Sequence, residues 1–263
     1  MPLIRYTEDI VQTRQMEFSM SLLKKISIII GCALSITCSA DEGKLVVGVE
    51  ASRAPFVYVD ESQKLEGFEI DLLRAIAKEN GLNVEFSDMP FDALLPSVLT
   101  EQVDVAISCI SMTEDRAQIV DFVGPYYNAG LNVLIPKEYQ NKIKNSFDLN
   151  GKKICVVSGT TCEDYANTRE GSEVIKFSSE EESFNAVEER KCDLLISDAP
   201  LIDYLFMKQH PDKYYKFENN LTSEDFGIMT SKLRPELRDK IESGLKKIEK
   251  NGEYDKLYKK WFG

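Results

Sequence analysis

From residue 44 onward the apolar positions alternate between two rhythms. Lys44–Glu50 (KLVVGVE) is a short, nearly continuous apolar run, the pattern of a strand buried on both faces. Gly67–Asn80 (GFEIDLLRAIAKEN) instead places Leu72, Leu73, Ile76 and Ala77 along one stripe, which predicts an amphipathic helix. Gly81 follows where a helix-ending glycine belongs. The same reading predicts a strand at Leu82–Phe86, a helix at Phe91–Glu101 with Pro96 inside it, and a strand at Val103–Ile107. After Gly130 the pattern restarts: strand Lys153–Val157, helix from Thr160, strand Glu173–Phe177, helix Ser179–Arg190, strand Asp193–Ser197, helix from Ala199. Pro235–Lys250 and Glu253–Trp261 read as a helical tail.

Strands alternating with helices at this spacing argue for an α/β fold with parallel sheets built from βαβ units. Two such sets predict two lobes. No low-complexity linker separates them, so extended segments are expected to make the crossing, Asn128–Ile135 the first of them. In open α/β sheets ligands sit beyond the carboxyl ends of the strands. The residues at those ends are polar here: Glu50 to Arg53, Ser108 to Arg116, Ser158 to Thr161, and Asp198.

Composition narrows the chemistry. The 263 residues hold 32 basic and 44 acidic side chains, a formal charge of −12, so a phosphate backbone finds no basic stripe and nucleic-acid binding is excluded. His210 is the only histidine, which argues against zinc enzymes and Ser-His or Cys-His hydrolases. No metal site or cofactor is expected.

Ile26–Thr37, behind Lys24 and Lys25, is apolar for about a dozen residues, short of the roughly 20 that span a bilayer. A basic start, a short apolar stretch and a small residue at the exit describe a secretory signal over residues 1–40, with Met20 a possible start and Ala40 a cleavage point. Ile-Ile-Gly before Cys32 resembles a bacterial lipobox, and Ile-Thr before Cys38 a looser one. The expected location is the periplasm, or a membrane surface if either cysteine is lipidated. Cys109, Cys155, Cys162 and Cys192 remain; with no CxxC pair they are buried hydrophobes or disulfide partners, and the pairing is open.

Several blocks then resemble one family. They are Gly67-Phe-Glu-Ile-Asp71-Leu with Ile76-Ala77, Phe91-Asp-Ala-Leu-Leu-Pro96-Ser, and Ser108 to Arg116. Asp121-Phe-Val-Gly-Pro-Tyr-Tyr127, Gly159-Thr-Thr161 and Trp261-Phe262-Gly263 complete the set. In that order they are similar to the bacterial solute-binding proteins for polar amino acids, receptors of ABC importers. The nearest patterns are the lysine/arginine/ornithine, histidine, arginine and glutamine receptors. The resemblance implies a two-lobed periplasmic binding protein fold of type II. One lobe would hold 41–128 with 225–263, the other 129–224, joined by two hinge strands and closing on one free amino acid. It implies a monomer, an importer permease as partner, and no catalysis.

The resemblance also assigns roles. Arg116 is the expected clamp for the ligand carboxylate, a planar fork that lysine does not copy; otherwise it is a surface arginine beside Glu114 and Asp115. Thr160 and Thr161 lead a helix and are expected to face the same anion, though such residues cap helices everywhere. Asp198 is an ammonium acceptor or a helix N-cap. Ser108 and Ser111 are expected to supply polar atoms to the ligand, and Cys109 stands where relatives often have serine. Phe91 covers the ligand's alkyl chain or belongs to the core.

Glu50 stands where an acid meets the distal nitrogen of the ligand side chain, which points to a basic amino acid, L-arginine first. Arg53 departs from the pattern, since relatives often place an aromatic there. Either it pairs with Glu50 or Asp60 and turns outward, or the ligand is not cationic. The alternatives are a receptor for glutamine, histidine or glutamate, or an enzyme on this scaffold such as a cyclohexadienyl dehydratase.

Overall fold

A computed structural model describes residues 43–263. The export segment expected at 1–40, with Met20, Cys32 and Cys38, lies outside the described residues. Two five-stranded sheets carry the architecture. Across the first the order is Asn83–Asp88, Lys44–Val49, Val105–Ala106, Glu224–Ser231, Val120–Ala129; across the second it is Glu173–Phe177, Lys153–Val157, Leu194–Asp198, Leu131–Pro136, Tyr214–Tyr215. In each, the first three strands are parallel and the other pairings antiparallel. The sheets are therefore mixed, where mostly parallel ones were expected. Parallel pairing needs a long crossover, and segments that enter straight from the other sheet have none.

The parallel half of each sheet has the same logic. The strand that comes first in sequence lies in the middle, its successor on one side and the third strand on the other. The chain thus reverses direction of progress between the first and third strands, and a crevice opens at their carboxyl ends.

The helix Phe68–Glu79 covers the first sheet with Phe68, Ile70, Leu72, Leu73, Ile76 and Ala77, all buried. It starts at Gly67, whose φ is +136° and where a Cβ would lie 2.1 Å from the Phe56 carbonyl oxygen, so no other residue fits. Pro235–Lys250 and Glu253–Phe262 pack back onto this side, and Phe56, Phe68, Tyr127, Phe226 and Phe262 form an aromatic cluster, edge-to-face in most of its contacts and stacked between Tyr127 and Phe226, that ties the chain's end to the first sheet. A separate core of Leu131, Val133, Ile154, Val156, Leu194 and Ile196 fills the second half. Cys155 and Cys192 form a disulfide there with Cα atoms 5.7 Å apart, which settles the open pairing; Cys109 and Cys162 are free and buried.

The crossing segments touch. Val120–Ala129 leaves the first sheet, and after Gly130 the chain continues as Leu131–Pro136 in the second. The return enters the first sheet at Glu224, paired with Ala129, and Leu131 N–H donates to Thr222 Oγ1 at 3.0 Å. At Gly130 a Cβ would meet the Thr222 carbonyl oxygen at 2.2 Å, so glycine is what lets the two strands lie side by side. Among the described residues no helix is long and apolar enough to cross a membrane.

Candidate ligand-binding site

The crevices of the two sheets face each other. From the first, Lys44–Val49 ends at Glu50 and Val105–Ala106 runs into Ser108–Ser111; from the second, Lys153–Val157 leads to Thr160 and Thr161, and Leu194–Asp198 ends on Asp198. The two groups are in contact. Arg116 Nη2 donates to the Gly159 carbonyl at 2.9 Å, and the hydroxyls of Ser111 and Thr161 lie 3.5 Å apart.

Arg53 occupies the middle. Its side chain is 1% exposed, so of the two arrangements open to it the outward one does not occur. Nε lies 2.9 Å from Glu50 Oε2, and Nη1 lies 3.4 Å from both Glu180 Oε1 and Asp198 Oδ2. The guanidinium carbon sits 4.6 Å from the centre of the Phe91 ring, a cation–π contact. Burial opposes its charge, but Glu180 and Glu50 outweigh burial and hold the proton more tightly than usual. Burial also pushes the Glu180 carboxyl up, and drives Asp198 up to about 8 despite the pull of Arg53. Asp198 stands at the N-cap position of Ala199–Leu201, yet its side chain makes no capping bond and accepts from Arg53 instead.

Arg116 is held differently. Thr113 caps its short helix by accepting the Arg116 N–H, and the guanidinium donates to two carbonyls, Ser111 and Gly159, each at 2.9 Å. Neither is an anion. Burial lowers its proton affinity, and Phe91 lies 5.7 Å beneath it, so one ring carries both arginines. Beside it Glu224 Oε2 accepts from Ser111 Oγ at 2.6 Å and from Thr161 Oγ1 at 2.7 Å.

Three expected residues act from behind. The Ser108 hydroxyl donates to the Glu50 carbonyl at 3.2 Å and lies 3.1 Å from its N–H, fixing the Glu50 backbone. Cys109, at φ +52°, packs into the first core, and its N–H donates to Glu69 Oε1 at 2.7 Å. Thr160 donates to the Val157 carbonyl at 2.7 Å and caps the helix Thr161–Asn167. These hydroxyls and this amide already have partners. Among the described residues no group of three or more His, Cys, Asp or Glu could hold a metal ion.

Residues 45–263 match the bacterial extracellular solute-binding proteins, family 3. The chain belongs to that family. A probable histidine-binding protein of Neisseria gonorrhoeae is 31% identical over 231 residues, 85% of this chain and 85% of that protein. An ancestral arginine-binding protein solved with arginine and with glutamine is 37% and 38% identical, with TM-scores of 0.80, covering 84% of this chain and 99% and 98% of those. An ancestral amino acid-binding protein described as a precursor of cyclohexadienyl dehydratase is 33% identical with a TM-score of 0.76, over 85% of this chain and 97% of that one.

Within this solute-binding protein, three cleft residues escaped sequence reasoning. Glu180 looked like one acid in the solvated first turn of a helix, yet it is 1% exposed and bonds Ser197 Oγ at 3.0 Å. Ser52, which donates to Glu50 Oε1 and accepts the Glu180 N–H, lies in the polar stretch Glu50 to Arg53 but was given no role of its own; Ser52–Arg53, Val57–Val59 and Leu65–Glu66 form a small sheet there. Glu224 carried no signal, because the strand it opens was itself not foreseen.

Proposed function

We propose that this protein is the receptor of an ABC amino-acid importer. It closes without chemical change on one free polar L-α-amino acid and hands it to a membrane permease. One observation carries the reading: Arg116 is a half-buried guanidinium whose two outer nitrogens meet only neutral carbonyls, while Asp198 across the cleft is a carboxyl close enough for each to shift the other's proton affinity. A zwitterion offers a charged partner to each, its carboxylate to Arg116, which has none, and its ammonium to Asp198, where it would share or replace Arg53. Ser111 and Thr161 add hydroxyls between them.

For the side chain, Glu50, Glu180 and Asp198 taken by themselves favour a cation, L-arginine first. A second reading, an uncharged polar side chain such as that of glutamine, is favoured by Arg53, which already stands among those acids. An enzyme on this scaffold would need a protonated carboxyl over its substrate, and Asp198 is the group with that property.

The deciding experiment is a thermal-shift screen of the folded protein against all twenty amino acids, with prephenate in parallel. A ligand that binds only the folded form raises the midpoint by mass action. An amino acid that raises it, with prephenate unchanged, supports the receptor. No response to any amino acid, or formation of an aromatic product from prephenate, refutes it.

A further inference from the structure

We propose that Arg53 is a resident guanidinium filling the cation subsite of the cleft, so that the ligand's side chain is uncharged and ends in an acceptor oxygen, the carboxamide of glutamine being the match. The proposal rests on the receptor reading above and specifies the side chain it takes.

Three observations lead to it. First, the places a ligand guanidinium would seek are taken. Glu50, Glu180 and Asp198 lie within 3.4 Å of Arg53 nitrogens, and the Phe91 ring beneath them carries the Arg53 guanidinium at 4.6 Å. A second guanidinium would have to displace the first or sit against it, and like charges repel strongly at that range. Arg53 cannot shed its charge to make room, because an arginine stays protonated.

Second, one of the unmet atoms in the cleft is a donor that also lies outside every ion pair. Arg53 Nη2 is buried without a hydrogen-bond acceptor. A buried donor left unpaired is costly, and a carbonyl oxygen from the ligand removes that cost. The guanidinium of arginine and the ammonium of lysine have no acceptor to give.

Third, the neighbouring acids decide which acceptor. Glu50 Oε2 lies 2.9 Å from Arg53 Nε as an ion pair but makes no aligned hydrogen bond. A carboxamide presents an oxygen to Arg53 and an N–H to Glu50 at once. A ligand carboxylate would satisfy Arg53 but bring a further negative charge among Glu50, Glu180 and Asp198.

The test is competition calorimetry on the full folded receptor with glutamine, glutamate, arginine and lysine. Wild type is expected to bind glutamine at least tenfold more tightly than each of the others. Arg53→Ala, which empties the subsite, is expected to reverse the order in favour of arginine. Arg53→Lys keeps the charge without the fork and is expected to lose tenfold or more for glutamine. Wild type binding arginine, lysine or glutamate as tightly as glutamine overturns the proposal while leaving an amino-acid receptor. Failure of every amino acid to bind removes the receptor reading as well. If either variant does not fold, the wild-type order alone decides.

Discussion

Arg53 and Asp198 stand 145 residues apart in sequence, yet Nη1 of one lies 3.4 Å from Oδ2 of the other. Each ends a segment from a different sheet, so the contact belongs to both halves of the cleft. A ligand ammonium arriving at Asp198 must share that carboxyl with Arg53 or replace it there. On the reading proposed above, recognition is an exchange of partners, and the properties of Asp198 set its terms.

Arg116→Ala is expected to abolish binding of every amino acid, because all carry the same α-carboxylate. Removing one partner of a buried ion pair costs roughly 3–5 kcal/mol, or about two to four decades in affinity. Calorimetry that finds less than tenfold weakening places Arg116 outside the site.

Affinity should rise with pH. Asp198 is held up to about 8 in the free protein, mainly by burial, and a ligand ammonium pairs with its ionised form. Binding near neutral pH then displaces a proton, so affinity at pH 6 is expected to fall about tenfold or more below that at pH 8. Calorimetry in buffers of different ionisation enthalpy reads the released proton directly. Proton uptake, or a flat profile, contradicts the assignment, and Asp198→Asn should lose the dependence together with most of the affinity.

Glu69 sets a different pH dependence, that of stability. It is fully buried, accepts from Tyr126 and from the Cys109 N–H, and burial raises its carboxyl to about 7 while Oε2 has no hydrogen-bond partner. The folded chain therefore keeps this proton where the unfolded chain has released it. Stability is expected to fall as pH rises from about 4.5 to 7 and to level off above. Glu69→Gln copies the neutral acid and should melt higher than wild type at pH 8 but not at pH 5. Equal melting points at both would show that Glu69 does not titrate in this range.

Reduction of the Cys155–Cys192 disulfide frees a loop closed by a separation of 37 residues. Loop-closure entropy puts its contribution at roughly 4 kcal/mol. Denaturant melts of oxidised and reduced protein should differ by an amount of that order, and coincident curves would count against it.

Much of the fold was legible because buried parallel strands and one-sided helices write two distinct periods into the chain. Lys153–Val157, Glu173–Phe177 and Pro235–Lys250 lie where the apolar pattern puts them. The strand Glu224–Ser231 was not foreseen, since it is antiparallel, enters without a helix and is flanked by polar loop. After Leu201 the expected helix widens into a π-type turn at Ile202–Met207, a change of hydrogen-bond spacing that leaves no mark on apolar periodicity. In the site, strand ends pointed to Glu50, Ser111, Arg116, Thr161 and Asp198. Glu180 and Glu224 were hidden because an acid at a helix or strand start usually faces water; only the three-dimensional meeting with Arg53, or with Ser111 and Thr161, shows that these do not.

The place of Glu224–Ser231 has a consequence for how the molecule assembles. This strand lies inside the first sheet, between Val105–Ala106 and Val120–Ala129, although it is made after nearly everything else. A chain that emerges amino end first can complete the second sheet from residues 131–215 while the first still lacks its inner strand. The half that starts first finishes last. Until residue 231 is available, Val105–Ala106 and Val120–Ala129 have no ladder between them, and Glu50, Arg53 and Arg116 have no finished frame. Cleft assembly is thus deferred to the end of synthesis.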